Sequence, residues 1–222
     1  MPTDVRPIAP TRILTPARPA QPVAAQPAPA PAPAAFGQDS FQRQDRYKIE
    51  VDLPSSRLYV VDKATGEPVD RYLTSPGRKE FPTAGKHFTI QRTLLKAPWN
   101  PPASKWAANA KPVPGGMNNP MGIFKMDLGG YSEYIHGTPA SERADLGRPA
   151  SHGCMRLSNE NVLQLYQRYA GVGTEVEINR DAAESKRLRA GFAATHRKEH
   201  AITDGKELLA GAAAGRLPKP VG

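Results

Sequence analysis

The chain has 222 residues, of which 39% are hydrophobic, and a formal net charge of +9 at pH 7. Its length allows one large domain or two small ones with a buried core. No segment approaches the ~20 consecutive apolar residues of a membrane-spanning helix, so no transmembrane segment is predicted. The positive charge is not accompanied by an aromatic-interleaved basic patch or a nucleic-acid-binding motif, so no nucleic-acid partner is predicted.

The amino-terminal region is rich in proline and alanine. Ten of the 24 prolines and ten alanines lie within residues 1–40, and QPAPAPAPA is a low-complexity repeat. Such a segment buries too little apolar surface to offset its ordering entropy, and it favours extended polyproline II structure. We therefore predict a disordered or extended spacer at residues 1–45. The first residues, MPTDVRPIAPTRIL, lack the apolar run of a signal peptide, so none is expected here.

Downstream of the spacer, short runs rich in β-branched and aromatic residues predict a mainly β domain. Residues 47–75 are interpreted as a meander of three strands, and residues 87–95 as a fourth strand after a proline–glycine turn. Residues 96–120 form a predicted loop rich in proline, glycine and asparagine. The two tryptophans of this loop, Trp99 and Trp106, have two interpretations: they wall a binding cleft, or they anchor the long loop to the core.

The next segments predict two more strands and then a helix. The strands are GIFKMDL and YSEYIHG, and the second places His136 at a strand end. Ser158 is predicted to cap a helix whose apolar residues recur at helical spacing until two glycines end it. TEVEI is interpreted as a closing strand.

The carboxy-terminal region, residues 181–222, is rich in alanine and basic residues. Leu188, Phe192 and His196 recur at i, i+4 and i+8, which predicts one weak helix. The residues after this helix are expected to fray. We interpret the region as an accessory tail and assign no function to its mild positive charge.

The only cysteine, Cys154, lies between Ser-His-Gly and Met-Arg. A lone cysteine has no partner for an intramolecular disulfide, so its thiol is inert packing, a metal ligand or a nucleophile. Because structural cysteines are usually buried as small hydrophobic residues, these polar neighbours favour a catalytic thiol. Two histidines compete to act as its base: His152, two positions earlier, and His136, which arrives from another element.

The two histidines belong to motifs that occur in a fixed order. IHGT is followed, after a loop, by SHGCMRLSN, and Cys154 lies 18 positions after His136. FPTAGKHFTI, APWNPPAS and NENVLQLYQRYAGVGTEVEI are the other notable segments. Together they resemble the L,D-transpeptidase (YkuD-type) catalytic domain family over residues 46–180. The resemblance implies a mainly β, β-sandwich-like fold with one short helix after Cys154, flanked by disordered or weakly ordered termini.

The resemblance also implies roles for the residues around the thiol. Cys154 is the nucleophile, and His136 is the general base and acid. The backbone carbonyl of Gly137 orients the His136 ring. Glu142 and Asp145, in the connecting loop, are alternative acceptors for that ring.

Acyl transfer also requires hydrogen-bond donors for the developing oxyanion. The resemblance places these donors at the amides of Gly153 and Cys154, with His152 adjoining them. Ser151 is expected to support this loop through hydrogen bonds. Arg156 has two interpretations, either a bidentate ligand for a substrate carboxylate or a structural ion pair that braces the loop.

Peptidoglycan stem tetrapeptides are the substrate that the resemblance implies, with Ser151, Tyr134 and Trp99 as further candidate contacts. Cys154 would release the terminal D-Ala and form a thioester, which an amine of a neighbouring stem converts to a 3→3 cross-link. If water is the acceptor, the same residues make an L,D-carboxypeptidase. The resemblance further implies a location in the bacterial cell envelope (periplasm or cell wall), inhibition by carbapenems and no cofactor.

Two other classes of function stay open. One is a metal site formed by His136, His152 and Cys154, although the chain contains neither a CxxC nor an HExxH spacing. The other is a noncatalytic module that binds the cell wall. The sequence predicts no particular oligomeric state.

Overall fold

The computed structural model describes residues 39–129 and 133–221, with side chains from residue 43 onward. Within these residues the chain forms nine strands in two sheets, four α-helices and three 3-10 helices. Most of the predicted spacer lies outside the described residues. A helix, α1 (Asp39–Arg46), occupies the last part of that prediction, so the spacer interpretation is wrong from residue 39 onward.

The first sheet has five strands in the order β3-β2-β1-β9-β4. Its strands are β1 (Tyr47–Asp52), β2 (Arg57–Asp62), β3 (Pro68–Leu73), β4 (His87–Thr89) and β9 (Glu175–Asn179). The antiparallel pairing of β1 with β2 and of β2 with β3 confirms the predicted meander. Strand β9 lies parallel to β1 and confirms the predicted closing strand.

The second sheet has four strands in the order β5-β6-β7-β8. Its strands are β5 (Arg92–Leu95), β6 (Phe124–Asp127), β7 (Tyr134–His136) and β8 (Met155–Arg156). Strands β6 and β7 confirm the two strands predicted from GIFKMDL and YSEYIHG, and they pair antiparallel. Strand β8 lies parallel to β7.

The prediction of one continuous strand at residues 87–95 is wrong. This segment contains β4 in the first sheet and β5 in the second. The Ile90 N–H donates to Thr174 O at 2.9 Å, and the next N–H, of Gln91, donates to Asp127 O at 2.8 Å. The chain therefore passes from one sheet to the other within two residues.

Both sheets share one hydrophobic core with helix α2 (Asn159–Arg168). The first sheet contributes Ile49 and Val60, the second contributes Met126 and Ile135, and α2 contributes Val162. This arrangement agrees with the expected sandwich-like domain and its short helix after Cys154. Ser158 Oγ accepts the Asn161 N–H at 3.0 Å, which confirms the predicted helix cap.

Two of the 3-10 helices lie in the loops on either side of β6 and β7. The predicted loop at residues 96–120 contains the first, Lys105–Ala107, and an isolated bridge between Trp99 and Val113. The second, Ala140–Asp145, lies between His136 and Cys154.

The carboxy-terminal region packs against the rest of the domain, so the expectation of a fraying tail is wrong for its described residues. Helix α3 (Ala182–Ala194) places Leu188 and Phe192 in a second hydrophobic cluster with Tyr59 and Val61 of β2. It ends before His196, which was predicted on its apolar face. After a third 3-10 helix (Lys206–Leu208), the short helix α4 (Leu209–Ala213) buries Ala212 in the main core. None of the described helices is long and apolar enough to cross a membrane.

Candidate active site

The parallel pairing of β7 with β8 brings the segments that contain His136 and Cys154 side by side in the second sheet. Ile135 lies opposite Met155, and His136 lies opposite Arg156. Ile135 and Met155 are fully buried in the core. Because side chains alternate along a strand, His136 and Arg156 lie on the other face. Cys154 immediately precedes β8, so the same alternation places it on that face beside Tyr134.

His136 is buried and its ring is held by the backbone. Its Nδ1 lies 2.6 Å from Gly137 O, the carbonyl that the resemblance implies. With the ring proton on Nδ1, this nitrogen donates to the carbonyl and Nε2 is left as the acceptor. The alternative partners have other contacts, because Glu142 pairs with Arg156 at 3.0 Å and Asp145 pairs with Arg148.

Burial lowers the pKa of His136 to about 3. The positive charges of Arg156 and Lys125 lower this pKa further, while the hydrogen bond to Gly137 opposes them. Lys125 faces the ring because it lies opposite His136 in the pairing of β6 with β7. The imidazole is therefore neutral at pH 7, which is the form that can take a proton.

Burial also raises the pKa of the Cys154 thiol to about 11, and the charge of Glu133 acts in the same direction. A hydrogen bond from the backbone of Tyr134 and the charges of Arg156 and Lys125 oppose this rise. Arg156 and Lys125 thus act on both Cys154 and His136, as expected for two neighbours on one face. At pH 7 the pair is a neutral thiol beside a neutral imidazole.

Ser151 holds the loop that leads to the thiol. Its Oγ accepts the Gly153 N–H at 3.0 Å and donates to Cys154 O at 2.6 Å. The Gly153 amide therefore already has an acceptor, and it must exchange that acceptor to bind an oxyanion. Gly153 has φ 121°, a backbone conformation that favours glycine.

His152 has a different set of partners from His136. Its Nε2 lies 2.8 Å from Arg78 Nη2, so a neutral ring accepts a hydrogen bond from the guanidinium. Burial lowers the pKa of His152, and the charges of Arg78 and Arg156 lower it further. Because the guanidinium occupies Nε2, this nitrogen is not available to a thiol proton.

The contacts of the two tryptophans support the interpretation that they anchor the long loop, and their role as walls of a binding cleft stays a prediction. Trp106 is 40% exposed and stacks on His152 with 3.9 Å between ring centroids. Its ring thus attaches the long loop to His152. The Trp99 ring lies 6.4 Å from the Trp106 ring, so Trp99 reaches the site through Trp106.

Arg156 forms the structural ion pair that was one of its two interpretations. Its Nη1 lies 3.0 Å from Glu142 Oε2, and only 16% of the Arg156 side chain is exposed. Arg143, on the same 3-10 helix as Glu142, pairs with Glu160 of α2 at 2.5 Å. These two ion pairs brace the loop between His136 and Cys154.

Several residues of the site were not singled out from the sequence. Arg78 and Thr83 contact the two residues before Cys154, and Lys125 acts electrostatically on the Cys154 thiol. Thr83 had a signal, since it lies in FPTAGKHFTI, but its partner lies 70 residues away. Within the described part of the chain, no group of three or more His, Cys, Asp or Glu side chains is placed to hold a metal ion.

Comparisons with known proteins agree on one family. The family model of the L,D-transpeptidase catalytic domain, YkuD, matches residues 46–178. The protein named "Probable L,D-transpeptidase YbiS" of Escherichia coli K12 is 35% identical over 96 residues, which cover 40% of this chain and 30% of that protein. "Probable L,D-transpeptidase ErfK/SrfK" of Salmonella typhimurium is 36% identical over 141 residues, which cover 60% of this chain and 44% of that protein. The matched segments thus span less than half the length of these two relatives.

Two solved structures of L,D-transpeptidases each match about 60% of this chain. An L,D-transpeptidase from Mycobacterium smegmatis has a TM-score of 0.48 and 19% identity, over 61% of this chain and 59% of that chain. The L,D-transpeptidase LdtMt1 in complex with imipenem has a TM-score of 0.46 and 18% identity, over 60% of this chain and 59% of that chain.

Proposed function

Because the chain belongs to the YkuD family of L,D-transpeptidase catalytic domains, we propose that it is a cysteine-dependent acyltransferase acting on peptidoglycan stem tetrapeptides. The proposal is carried by the pairing of β7, which ends at His136, with β8, which Cys154 precedes, so that Arg156 and Lys125 act on both groups. The hydrogen bond from His136 Nδ1 to Gly137 O leaves Nε2 as the basic nitrogen of this pair.

The first step forms a thioester. The Cys154 sulfur attacks the carbonyl between the third-position diamino acid and the terminal D-Ala while His136 Nε2 takes the thiol proton. Since both groups are neutral at pH 7, proton transfer accompanies the attack and does not precede it. The imidazolium then gives its proton to the D-Ala nitrogen, the C–N bond breaks, and D-Ala leaves.

The oxyanion that develops in this step needs a donor near the sulfur. The Cys154 amide is the proposed main donor, and the Gly153 amide contributes once it leaves Ser151 Oγ. His152, held by Arg78 and Trp106, borders the same region. Losing one such donor typically slows a reaction about 100- to 1000-fold.

The second step transfers the acyl group to an acceptor. An amine of a neighbouring stem attacks the thioester, His136 takes a proton from that amine, and a 3→3 cross-link forms as the thiol is regenerated. Water in place of the amine would give an L,D-carboxypeptidase.

We place this reaction in the bacterial cell envelope and expect carbapenems to acylate Cys154, both on the ground of family membership. Ser151, Tyr134, Arg156 and Trp99 remain predicted substrate contacts, and Arg156 would exchange Glu142 for the substrate carboxylate.

Product analysis tests this proposal. The protein and its Cys154→Ala variant are each mixed with a purified disaccharide-tetrapeptide, and the products are identified by mass spectrometry. A dimer that lacks one D-Ala, absent with the variant, is the expected result. Tripeptide without dimer would assign the carboxypeptidase reaction to the same residues. Unchanged tetrapeptide, or equal turnover by Cys154→Ala, would overturn the proposal.

A further inference from the structure

Two loops lie side by side at the thiol. The nucleophile loop, residues 150–154, is hydrogen-bonded along its length to the bracing loop, residues 76–83. The N–H groups of Ala150 and Ser151 donate to Pro76 O at 3.0 Å each. In the other direction, the Arg78 N–H donates to Ser151 O at 3.1 Å. The bracing loop therefore fixes where the nucleophile loop lies.

Thr83 is the side chain through which the bracing loop reaches the residue before the nucleophile. It is 2% exposed. Its hydroxyl donates to Gly153 O at 2.7 Å and accepts the Gly77 N–H at 2.9 Å. Because the Gly77 amide can only donate and a carbonyl can only accept, the direction of both hydrogen bonds is determined.

The contact between Thr83 and Gly77 depends on the absence of a side chain at residue 77. A Cβ at Gly77 would lie 2.3 Å from Phe81 O and 2.4 Å from Thr83 N. The bracing loop thus turns tightly enough for the Thr83 hydroxyl to lie between the Gly77 amide and the Gly153 carbonyl.

The Gly153 carbonyl determines the direction of the Cys154 amide. The two groups belong to one planar trans peptide, so they point in opposite directions. Ser151 holds the peptide before this one through the Gly153 N–H and the peptide after it through Cys154 O. The middle peptide, which follows the conformationally permissive Gly153, is held by Thr83 through its oxygen.

We propose that Thr83 is a positioning residue for acyl transfer, whose hydroxyl aims the Cys154 amide at the oxyanion by fixing the Gly153 carbonyl. This inference rests on the proposed function, because an oxyanion develops at this amide only if Cys154 attacks a carbonyl. Thr83 touches neither the substrate nor the sulfur in this role. It acts through the peptide that bears the donor.

Two reactions of Cys154 separate this role from a merely structural one. Acylation by a carbapenem passes through a tetrahedral oxyanion and needs the aimed amide. Alkylation by iodoacetamide displaces iodide at a saturated carbon and forms no oxyanion. A loss of general loop order would change both rates, whereas a misaimed amide changes the first alone.

The experiment measures both rates by intact mass spectrometry for three substitutions at Thr83 and one control. Thr83→Val and Thr83→Ala remove the hydroxyl, and Thr83→Ser keeps it. The control, Thr174→Val, removes another buried threonine hydroxyl, which accepts the Gly171 N–H at 2.9 Å just before β9 of the first sheet. It matches the loss of a buried threonine hydroxyl that accepts a backbone N–H, without touching the nucleophile loop.

We expect Thr83→Val to slow acylation about 10- to 100-fold, less than the loss of a whole oxyanion donor, and to leave alkylation unchanged. Thr83→Ser should restore acylation, and Thr174→Val should keep both rates. If Thr83→Val does not fold, Thr83→Ala is expected to show the same slower acylation and the same unchanged alkylation. Normal acylation in the variants that lack the hydroxyl, or an equal fall in both rates, would overturn the role of Thr83. Failure of the unsubstituted protein to become acylated or to act on tetrapeptide would overturn the proposed function, and this inference with it.

Discussion

Desolvation favours the uncharged forms of both Cys154, which is partly buried, and His136, which is fully buried. The pKa of the thiol is raised to about 11 and that of the imidazole is lowered to about 3, in each case chiefly by burial. A thiolate–imidazolium pair is therefore not the resting state. In the proposed reaction the substrate therefore meets a protonated thiol, and His136 Nε2 is the proposed acceptor of its proton.

The pH dependence of the enzyme should reflect these values. His136 must be neutral to take a proton, so activity should persist well below the ordinary value of 6.5 and be lost as pH falls through about 3. Alkylation of Cys154 at pH 7 should be slower than that of a free thiol and should rise with pH towards about 11. The profile of kcat/KM and the rate of iodoacetamide modification measure these two limbs. A kcat/KM that falls as pH drops through about 6.5, or an alkylation rate that levels off below pH 9, would contradict the neutral forms of His136 and Cys154.

Removal of the base should reduce turnover strongly. We expect His136→Ala to lower kcat by about 100- to 10,000-fold, the range typical of a general acid–base group. His87, exposed on β4 of the first sheet, provides a matched histidine control, and His87→Ala should leave the rate unchanged. Steady-state kinetics on the tetrapeptide compare the variants. Appreciable activity in His136→Ala would mean that another group is the base.

At the scale of the elements, helix α2 follows strand β8, which itself follows Cys154. Its cap, Ser158, is fully buried and satisfies an amide of the first turn. We expect Ser158→Ala to lower the free energy of unfolding by about 1 kcal/mol. Asp181 caps α3 in the same way by accepting the Ala183 and Glu184 N–H groups. Asp181→Ala should therefore lower the free energy of unfolding by a similar amount. Urea unfolding measures both effects, and a Ser158→Ala variant as stable as the original chain would show that the cap contributes nothing.

Local patterns predicted the elements whose partners are near in sequence or whose signals are complete. The meander of β1 to β3, the Ser158 cap and the strand end at His136 are of this kind. The break between β4 and β5 was not predictable, because it depends on hydrogen bonds from Ile90 and Gln91 to residues far along the chain. Thr83 lies within FPTAGKHFTI, yet its proposed role depends on Gly153, which only folding brings beside it.

The carboxy-terminal region packs against the domain because strand β2 has apolar residues on both of its faces. Strand β2 buries Leu58 and Val60 in the main core and Tyr59 and Val61 on its other face. An unbroken run of buried residues in a strand indicates that both faces are covered. Helix α3 provides the second cover through Leu188 and Phe192, so residues after the catalytic domain complete its first sheet.

At the scale of the whole molecule, His200 joins the carboxy-terminal region to the first sheet. Its Nε2 lies 2.9 Å from Asp70 Oδ2 of β3, and its Nδ1 lies 3.1 Å from Asp204 Oδ2. Its ring stacks on Tyr72 with 4.5 Å between centroids. Burial alone would lower the pKa of His200, but hydrogen bonds and charges from Asp70 and Asp204 outweigh it and raise that pKa above 6.5.

The stability that His200 provides should depend on pH in a defined direction. Protonated His200 stabilises the fold, so its contribution is complete below the ordinary pKa of 6.5 and is lost as pH rises through the raised value. Although burial opposes it, the hydrogen bond from His200 lowers the pKa of Asp70, so the contribution is also lost as pH falls below 3.8 and through that lowered value. The difference in unfolding free energy between the original chain and His200→Gln should therefore be largest between pH 3.8 and 6.5. Urea unfolding across this range measures it, and a difference that grows at alkaline pH would contradict the assigned charge.

In the proposed reaction, Cys154 carries the acyl group of the stem peptide as a thioester. The most direct test quenches the enzyme in acid soon after it is mixed with tetrapeptide and maps the modified residue by mass spectrometry. We predict an adduct of tetrapeptide minus D-Ala on the fragment that contains Cys154, removable by hydroxylamine and absent from Cys154→Ala. An adduct on a different residue, or continued release of D-Ala by Cys154→Ala, would contradict the account.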